Sequence, residues 1–189
     1  VVGFVVAQVR LCQPSIDLPK AHGGYVSVFI ARATYRVENT DGSGVIGSHA
    51  GFAPLWYFKR ETPVTRAGPG IRKLLRQFDD PGTSKGDAER WHALSGLVRQ
   101  AVGYEVGQTG ATTTAEEALS AGHGVCQDHA HLFIALARLL GYPARYVSGY
   151  LLMNDRVDQD AGHGWAEVHA DGLGWVGFDI SNGYSPDER

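Results

Sequence analysis

Cys126 is the residue whose type and position point most directly to chemistry. It follows Gly122-His123-Gly124-Val125 and stands in the first turn of a helix predicted from about Val125 to Leu140. The N-terminal end of a helix carries partial positive charge and unpaired N–H groups, which favour a thiolate and can bind an oxyanion. An isolated cysteine is also commonly a buried structural residue, so position alone leaves both interpretations open.

A thiolate nucleophile needs a base and a group that orients the base. His163 enters one predicted strand and Asp179 lies in the next, with the hairpin signal Asp171-Gly172-Leu173-Gly174 between them. Because side chains alternate along a strand, an odd loop or a one-residue bulge would place both on one face, diagonally related. An aspartate in an apolar strand also needs a polar partner, which a histidine supplies. His169 would share that face and is a rival base.

A metal site is the alternative from a different class. His123, Cys126, His129 and His131 fall within nine residues and could bind zinc. However, His131 points away from the helix face of Cys126, and His123 precedes the helix. The sequence therefore favours a thiolate without metal or cofactor. We expect Cys12, in a strand-like segment, to be structural.

Other residues near these positions carry weaker predictions. Asp128 could bond the backbone at the helix start or be a solvated acid. Trp165 could line a cleft, although core packing is the favoured interpretation. We do not expect Gln127 to form an oxyanion hole. Tyr104 and Tyr150 are cleft candidates by analogy alone.

Composition limits the class of protein. Of 189 residues, 43% are apolar and 20% charged, which is typical of a globular chain and argues against disorder. The net charge of -3 shows no basic excess, so we expect no nucleic-acid partner. No apolar run is long enough to span a membrane, and we expect no membrane partner. Two cysteines fit a cytoplasmic enzyme better than a secreted scaffold.

The order of predicted elements indicates an α+β fold. Residues 1 to about 60 show β patterning, including an alternating run over 25–37. Helical patterns follow, first over 71–78, then over 91–102 and then, after a Thr114–Glu117 capping box, over 115–121. The helix from Val125 is apolar on most sides, which predicts a central helix packed on an antiparallel sheet. Strand-like runs at 145–152, 164–170 and 174–180 complete the chain. We predict an N-terminal β region over 1–60 and a catalytic core over 61–189.

Three separated blocks resemble the core of the bacterial transglutaminase-like superfamily, whose members are often named cysteine proteases. The first block is Gly124-Val125-Cys126-Gln127-Asp128, and the second is Ala137-Arg138 with Gly141-Tyr142-Pro143-Ala144-Arg145-Tyr146-Val147. The third is His163-Gly164-Trp165-Ala166-Glu167-Val168 followed by Gly172 to Gly183. The resemblance implies a papain-like arrangement in which Cys126 is the nucleophile, His163 the general base and acid, and Asp179 the orienting residue. Many relatives have alanine where this chain has Gly164.

The resemblance implies a thiol hydrolase that cleaves an amide or peptide bond in a peptide or protein through a thioester. Transglutamination, in which an amine replaces water as the acyl acceptor, shares the first half-reaction and is the main alternative. An inactive binding module that keeps the fold is a further alternative. The presence of all three residues argues against it.

Overall fold

The computed structural model describes residues 3–5, 44–80, 87–152 and 162–186. Within them lie four α-helices and seven β-strands, together with two short 3-10 helices at Leu55–Lys59 and Pro63–Thr65. The helices are α1 (Pro69–Leu75), α2 (Asp87–Ala101), α3 (Ala115–Ala121) and α4 (Cys126–Leu139). The strands are β1 (Gly3–Val5), β2 (Val45–Gly47), β3 (Gly103–Tyr104), β4 (His123–Gly124), β5 (Ala144–Leu152), β6 (His163–Ala170) and β7 (Gly174–Phe178).

The main sheet has the strand order β1-β5-β6-β7-β2, and each neighbouring pair is antiparallel. The two outer strands come from the N-terminal part of the chain, while β5 to β7 come from its end. A second, two-stranded sheet pairs β3 with β4 in parallel, and this pairing places Tyr104 beside Gly124, two residues before Cys126. The predicted α+β class with an antiparallel sheet is confirmed.

Helix α4 is the centre of the core. Every residue from Asp128 to Ala137 is buried, and the helix packs on the sheet face that carries Ala166, Val168 and Phe178. A helix buried on most sides needs apolar residues all round, which is the pattern its sequence shows. Gly141 follows the C-cap residue Leu140, and its φ of +88° is the left-handed conformation that favours glycine just after a helix.

Several predicted boundaries change. The segment predicted as β through residue 60 contains the 3-10 helix Leu55–Lys59, which Arg138 of α4 holds by donating to the Phe58 carbonyl at 2.8 Å. Helix α1 ends at Leu75 because the following N–H groups of Gln77 and Phe78 bond three residues back and tighten the turn. The predicted strand over 25–37 and Cys12 lie outside the described residues. The domain boundary at residue 60 stays a prediction.

Candidate functional site

The loop of the β6–β7 hairpin has the odd length that would place His163 and Asp179 on one face of the sheet. Ala170 pairs with Gly174 across a three-residue loop, and this odd loop keeps the register through the pair Ala166–Phe178. Extending that register places His163 and Asp179 on one face in a diagonal relation. The Nε2 atom of His163 lies 2.8 Å from Oδ2 of Asp179, and both side chains are buried, at 8% and 0% exposure.

Asp179 accepts more than the histidine bond. The side-chain amide of Asn182 donates to Oδ2 at 2.7 Å, and the backbone N–H of Asn182 donates to Oδ1 at 3.2 Å. The carboxylate is thus fixed by the turn that follows it. A buried carboxylate with three donors is held in one orientation, so it can fix the imidazole plane of His163 in turn.

Cys126 is the first residue of α4 and is partly buried. Its thiol hydrogen-bonds with the His163 side chain. Because Nε2 of His163 is held by Asp179, the other ring nitrogen is the one available to the sulfur. The backbone N–H groups of Gly164 and Gln127 also donate to the sulfur. The three predicted residues therefore form one continuous chain of contacts.

The electrostatics of this chain favour an ion pair. Burial raises the pKa of the Cys126 thiol, but the hydrogen bond and charge of His163 and the two N–H donors outweigh burial, so its pKa is lowered overall. Burial lowers the pKa of His163, but the bonds to Asp179 and Cys126 outweigh burial and raise its pKa to about 9. A thiolate and an imidazolium are the pair that covalent acyl transfer by cysteine requires.

A second histidine connects α4 to the turn that holds Asp179. The Nε2–H group of His129 donates to the Val102 carbonyl at 3.0 Å, and its Nδ1 lies 2.9 Å from the Ser181 hydroxyl. Burial lowers the pKa of His129, which keeps the ring neutral so that Nδ1 accepts from Ser181. His129 thereby connects the helix that carries Cys126 to the residues beside Asp179.

Asp128 fixes the start of α4. Its Oδ2 atom accepts the Val125 backbone N–H at 2.8 Å and the Thr109 hydroxyl at 2.6 Å, and the side chain is buried. The predicted backbone bond is confirmed, and the alternative of a solvated acid is wrong. Because Val125 directly precedes Cys126, this bond fixes the backbone conformation at the start of α4, where Cys126 stands.

The alternative sites are not assembled. His169 lies six residues along β6 from His163, roughly 20 Å at strand spacing, and its ring packs on Trp175. Among the described residues, no three His, Cys, Asp or Glu side chains come together to hold a metal ion. The ring nitrogens of His129 already bond Ser181 and Val102, which explains why the zinc alternative lacks a ligand there.

Comparison with known proteins decides the family. A model of the transglutaminase-like superfamily matches residues 72–180, more than half of the chain. This chain belongs to the transglutaminase-like superfamily. An uncharacterized protein of Mycobacterium tuberculosis is 41% identical over 133 residues, and one of Mycobacterium leprae is 31% identical over 126 residues. Each alignment covers 64% of this chain and 42% of the relative, so the chain spans less than half the length of these relatives.

Solved structures share the fold. A "Putative Cysteine Protease" from Cytophaga hutchinsonii superposes with a TM-score of 0.54 at 28% identity, over 67% of this chain and 42% of that one. The periplasmic domain of TgpA from Pseudomonas aeruginosa superposes with a TM-score of 0.51 at 22% identity, over 68% of this chain and 47% of that one. Among the described residues of this transglutaminase-like chain, no helix is long and apolar enough to cross a membrane. Its predicted cytoplasmic location stays a prediction.

Sequence reasoning missed several parts of the site of this transglutaminase-like domain. Asn182 stands inside the third resembling block, three residues after Asp179, a spacing typical of a turn that bonds back to an aspartate. Ser181 and the N–H of Gly164 gave no comparable signal. Trp165, 1% exposed, is packed inside as favoured, and its ring also stacks near His163 at 6.2 Å between centroids. Gln127 turns its side chain to the Gly110 carbonyl at 3.3 Å, away from an oxyanion role.

The lowered pKa of Cys126 predicts fast alkylation at unusually low pH. The rate of reaction with iodoacetamide should fall only as pH drops through a midpoint below the ordinary cysteine value of about 8.5, because the thiolate is the reacting species. Mass spectrometry of peptides containing Cys126 and Cys12 measures both rates in one sample. Equal rates with a midpoint near that ordinary value would contradict the ion pair.

Proposed function

We propose that this transglutaminase-like domain is a thiol hydrolase that cleaves an amide or peptide bond through a thioester on Cys126. The observation that carries the proposal is the continuous contact from Asp179 through His163 to the thiol, with the sulfur at the start of α4. The likeness to a structure named as a cysteine protease supports the same reaction class. As the substrate of the whole protein we propose an amide bond in a peptide or protein.

The first half-reaction uses these residues directly. The Cys126 sulfur forms a bond to the amide carbon, and the carbonyl electron pair moves onto oxygen. When the pair returns, the carbon–nitrogen bond breaks and the leaving amine takes the proton from His163. Asp179 keeps the imidazolium in place and stabilises its charge.

The second half-reaction transfers the acyl group to water. Neutral His163 removes a proton from water, the oxygen attacks the thioester carbon, and the Cys126 thiolate leaves. An amine could take the place of water at this step and would give transglutamination. Water is the acceptor we propose because the sulfur is only partly buried and the neighbouring Tyr104 is 57% exposed, so the thioester stands in reach of solvent.

A generic activated ester tests this function without knowledge of the natural substrate. Mixing the domain with p-nitrophenyl acetate should give a burst of p-nitrophenol that matches the enzyme concentration, and mass spectrometry should find one acetyl group on Cys126. Turnover should then continue in water. If an added primary amine at millimolar concentration captures most of the acetyl group, the acceptor is an amine and the hydrolase assignment is wrong. Absence of a burst and of an acetylated Cys126 would remove the thioester mechanism altogether.

A further inference from the structure

Tyr146 lies close to the reacting sulfur and has no role in the contacts described so far. Tyr146 of β5 pairs with Ala166 of β6, so both side chains lie on the sheet face that packs beneath α4. Ala166 is fully buried there, whereas Tyr146 is 38% exposed. Tyr146 therefore lies where α4 no longer covers this face of the sheet, near the end of the helix at which Cys126 stands.

The position of the Tyr146 ring depends on the absence of a side chain at residue 164. A β-carbon built on Gly164 would overlap the Tyr146 hydroxyl and would lie 2.7 Å from the ring carbon that bears it. Gly164 is also the residue whose backbone N–H donates to the Cys126 sulfur. The phenol thus occupies the space directly over the peptide unit that touches the nucleophile, and Gly164 makes that approach possible.

Burial and nearby negative charge keep the Tyr146 hydroxyl protonated, so it can donate a hydrogen bond. The Ser148 hydroxyl hydrogen-bonds with it, and the His131 ring packs against the phenol at 5.3 Å between centroids. Burial raises the pKa of Tyr146, and the negative charges of Cys126 and Asp128 raise it further. With Ser148 as donor to the phenol oxygen, the phenol's own proton remains for a third group.

We infer that the Tyr146 hydroxyl is a catalytic donor that hydrogen-bonds to the carbonyl oxygen of the acyl group as Cys126 attacks it. The inference rests on the proposed function. During acylation the new sulfur–carbon bond pushes the carbonyl electron pair onto oxygen, and a donor placed beside the sulfur stabilises that charge. No proton is transferred to the oxygen, so Tyr146 ends the step unchanged. The leaving group still receives its proton from His163.

Two reactions of the same sulfur separate this role from a structural one. Acylation by p-nitrophenyl acetate passes through an oxyanion, whereas alkylation by iodoacetamide is a direct displacement at carbon and forms none. Tyr146→Phe should lower the burst rate constant with the ester by about 10²-fold, the effect of removing one oxyanion donor. The alkylation rate of Cys126 should stay within about twofold, since the ion pair with His163 is intact.

Tyr57→Phe is the matched control. It removes the same hydroxyl from an exposed tyrosine in the 3-10 helix that Arg138 holds. Both of its rates should stay within about twofold of the wild type, because Arg138 lies roughly 18 Å along α4 from Cys126 at helical spacing. An unchanged burst in Tyr146→Phe would overturn the inference, and so would a parallel fall of both reactions. A wild-type domain without any burst would instead remove the proposed function, and the inference with it.

Discussion

Cys126→Ala is expected to lose all formation of a covalent acyl-enzyme. In the proposed mechanism the Cys126 thiolate bonds to the acyl carbon, and neither His163 nor Asp179 can replace it. Removal of the nucleophile from a comparable catalytic unit costs about 10⁶-fold in turnover, so the variant should show only the buffer rate with p-nitrophenyl acetate. Stopped-flow absorbance and intact-protein mass spectrometry measure the burst and the adduct together.

The control for this variant is Cys12→Ala, because the chain has two cysteines and this change removes the other one. It should keep the full burst. The free energy of unfolding of Cys126→Ala should differ from the wild type by less than about 1 kcal/mol, since a partly buried thiol is exchanged for a methyl group. A burst that survives in Cys126→Ala and disappears in Cys12→Ala would mean that Cys12, and not Cys126, is the nucleophile.

The parts of the site that the sequence predicted are those that depend on local rules. The position of Cys126 near a helix start follows from the point at which the apolar helical pattern of α4 begins. Strand alternation made the shared face of His163 and Asp179 depend on an odd loop or a bulge, and the three-residue loop between Ala170 and Gly174 meets that condition. Each of these rules acts over a few residues, so a single sequence is enough to apply it.

The remaining parts depend on contacts between distant segments, for which one sequence holds no rule. The contacts of His129 with Val102 and Ser181 join three separate elements. The need for glycine at residue 164 arises only because β5 pairs with β6 and brings the Tyr146 ring over this residue. The segment at Leu55–Lys59 fell within the β region predicted over residues 1–60, but it forms a 3-10 helix that Arg138 anchors from α4.

The Cys126 thiol is held by groups on two elements. Asp128 fixes the start of α4, and His163 and the Gly164 N–H contact the sulfur from β6. Each of these groups lies on a regular element or at its end. Regular elements hold a catalytic geometry more closely than loops do, which is consistent with a site assembled before substrate arrives.

Asp179→Ala is expected to produce the second-largest loss of activity. Its carboxylate accepts from His163 and twice from Asn182, and alanine would leave the buried His163 donor without an acceptor. The His163 ring would lose its fixed orientation and its charge partner, so the burst rate should fall by about 10³- to 10⁴-fold. The unpaired buried donor of His163 should also lower the free energy of unfolding by about 1–3 kcal/mol, which chemical denaturation measures.

Asp179→Asn separates orientation from charge. The amide oxygen can still accept from His163, but the negative charge is gone, so the pKa of His163 should fall from about 9. Because the imidazolium is then less stable and less populated, it stabilises the thiolate less, so the pKa of Cys126 should rise. The pH range of activity should therefore narrow from both sides. The burst rate should fall less than it does in Asp179→Ala. Asp171→Ala, an exposed aspartate in the turn of the same hairpin, is the control and should keep the wild-type profile. A profile of unchanged width in Asp179→Asn would mean that Asp179 does not support the charge of His163.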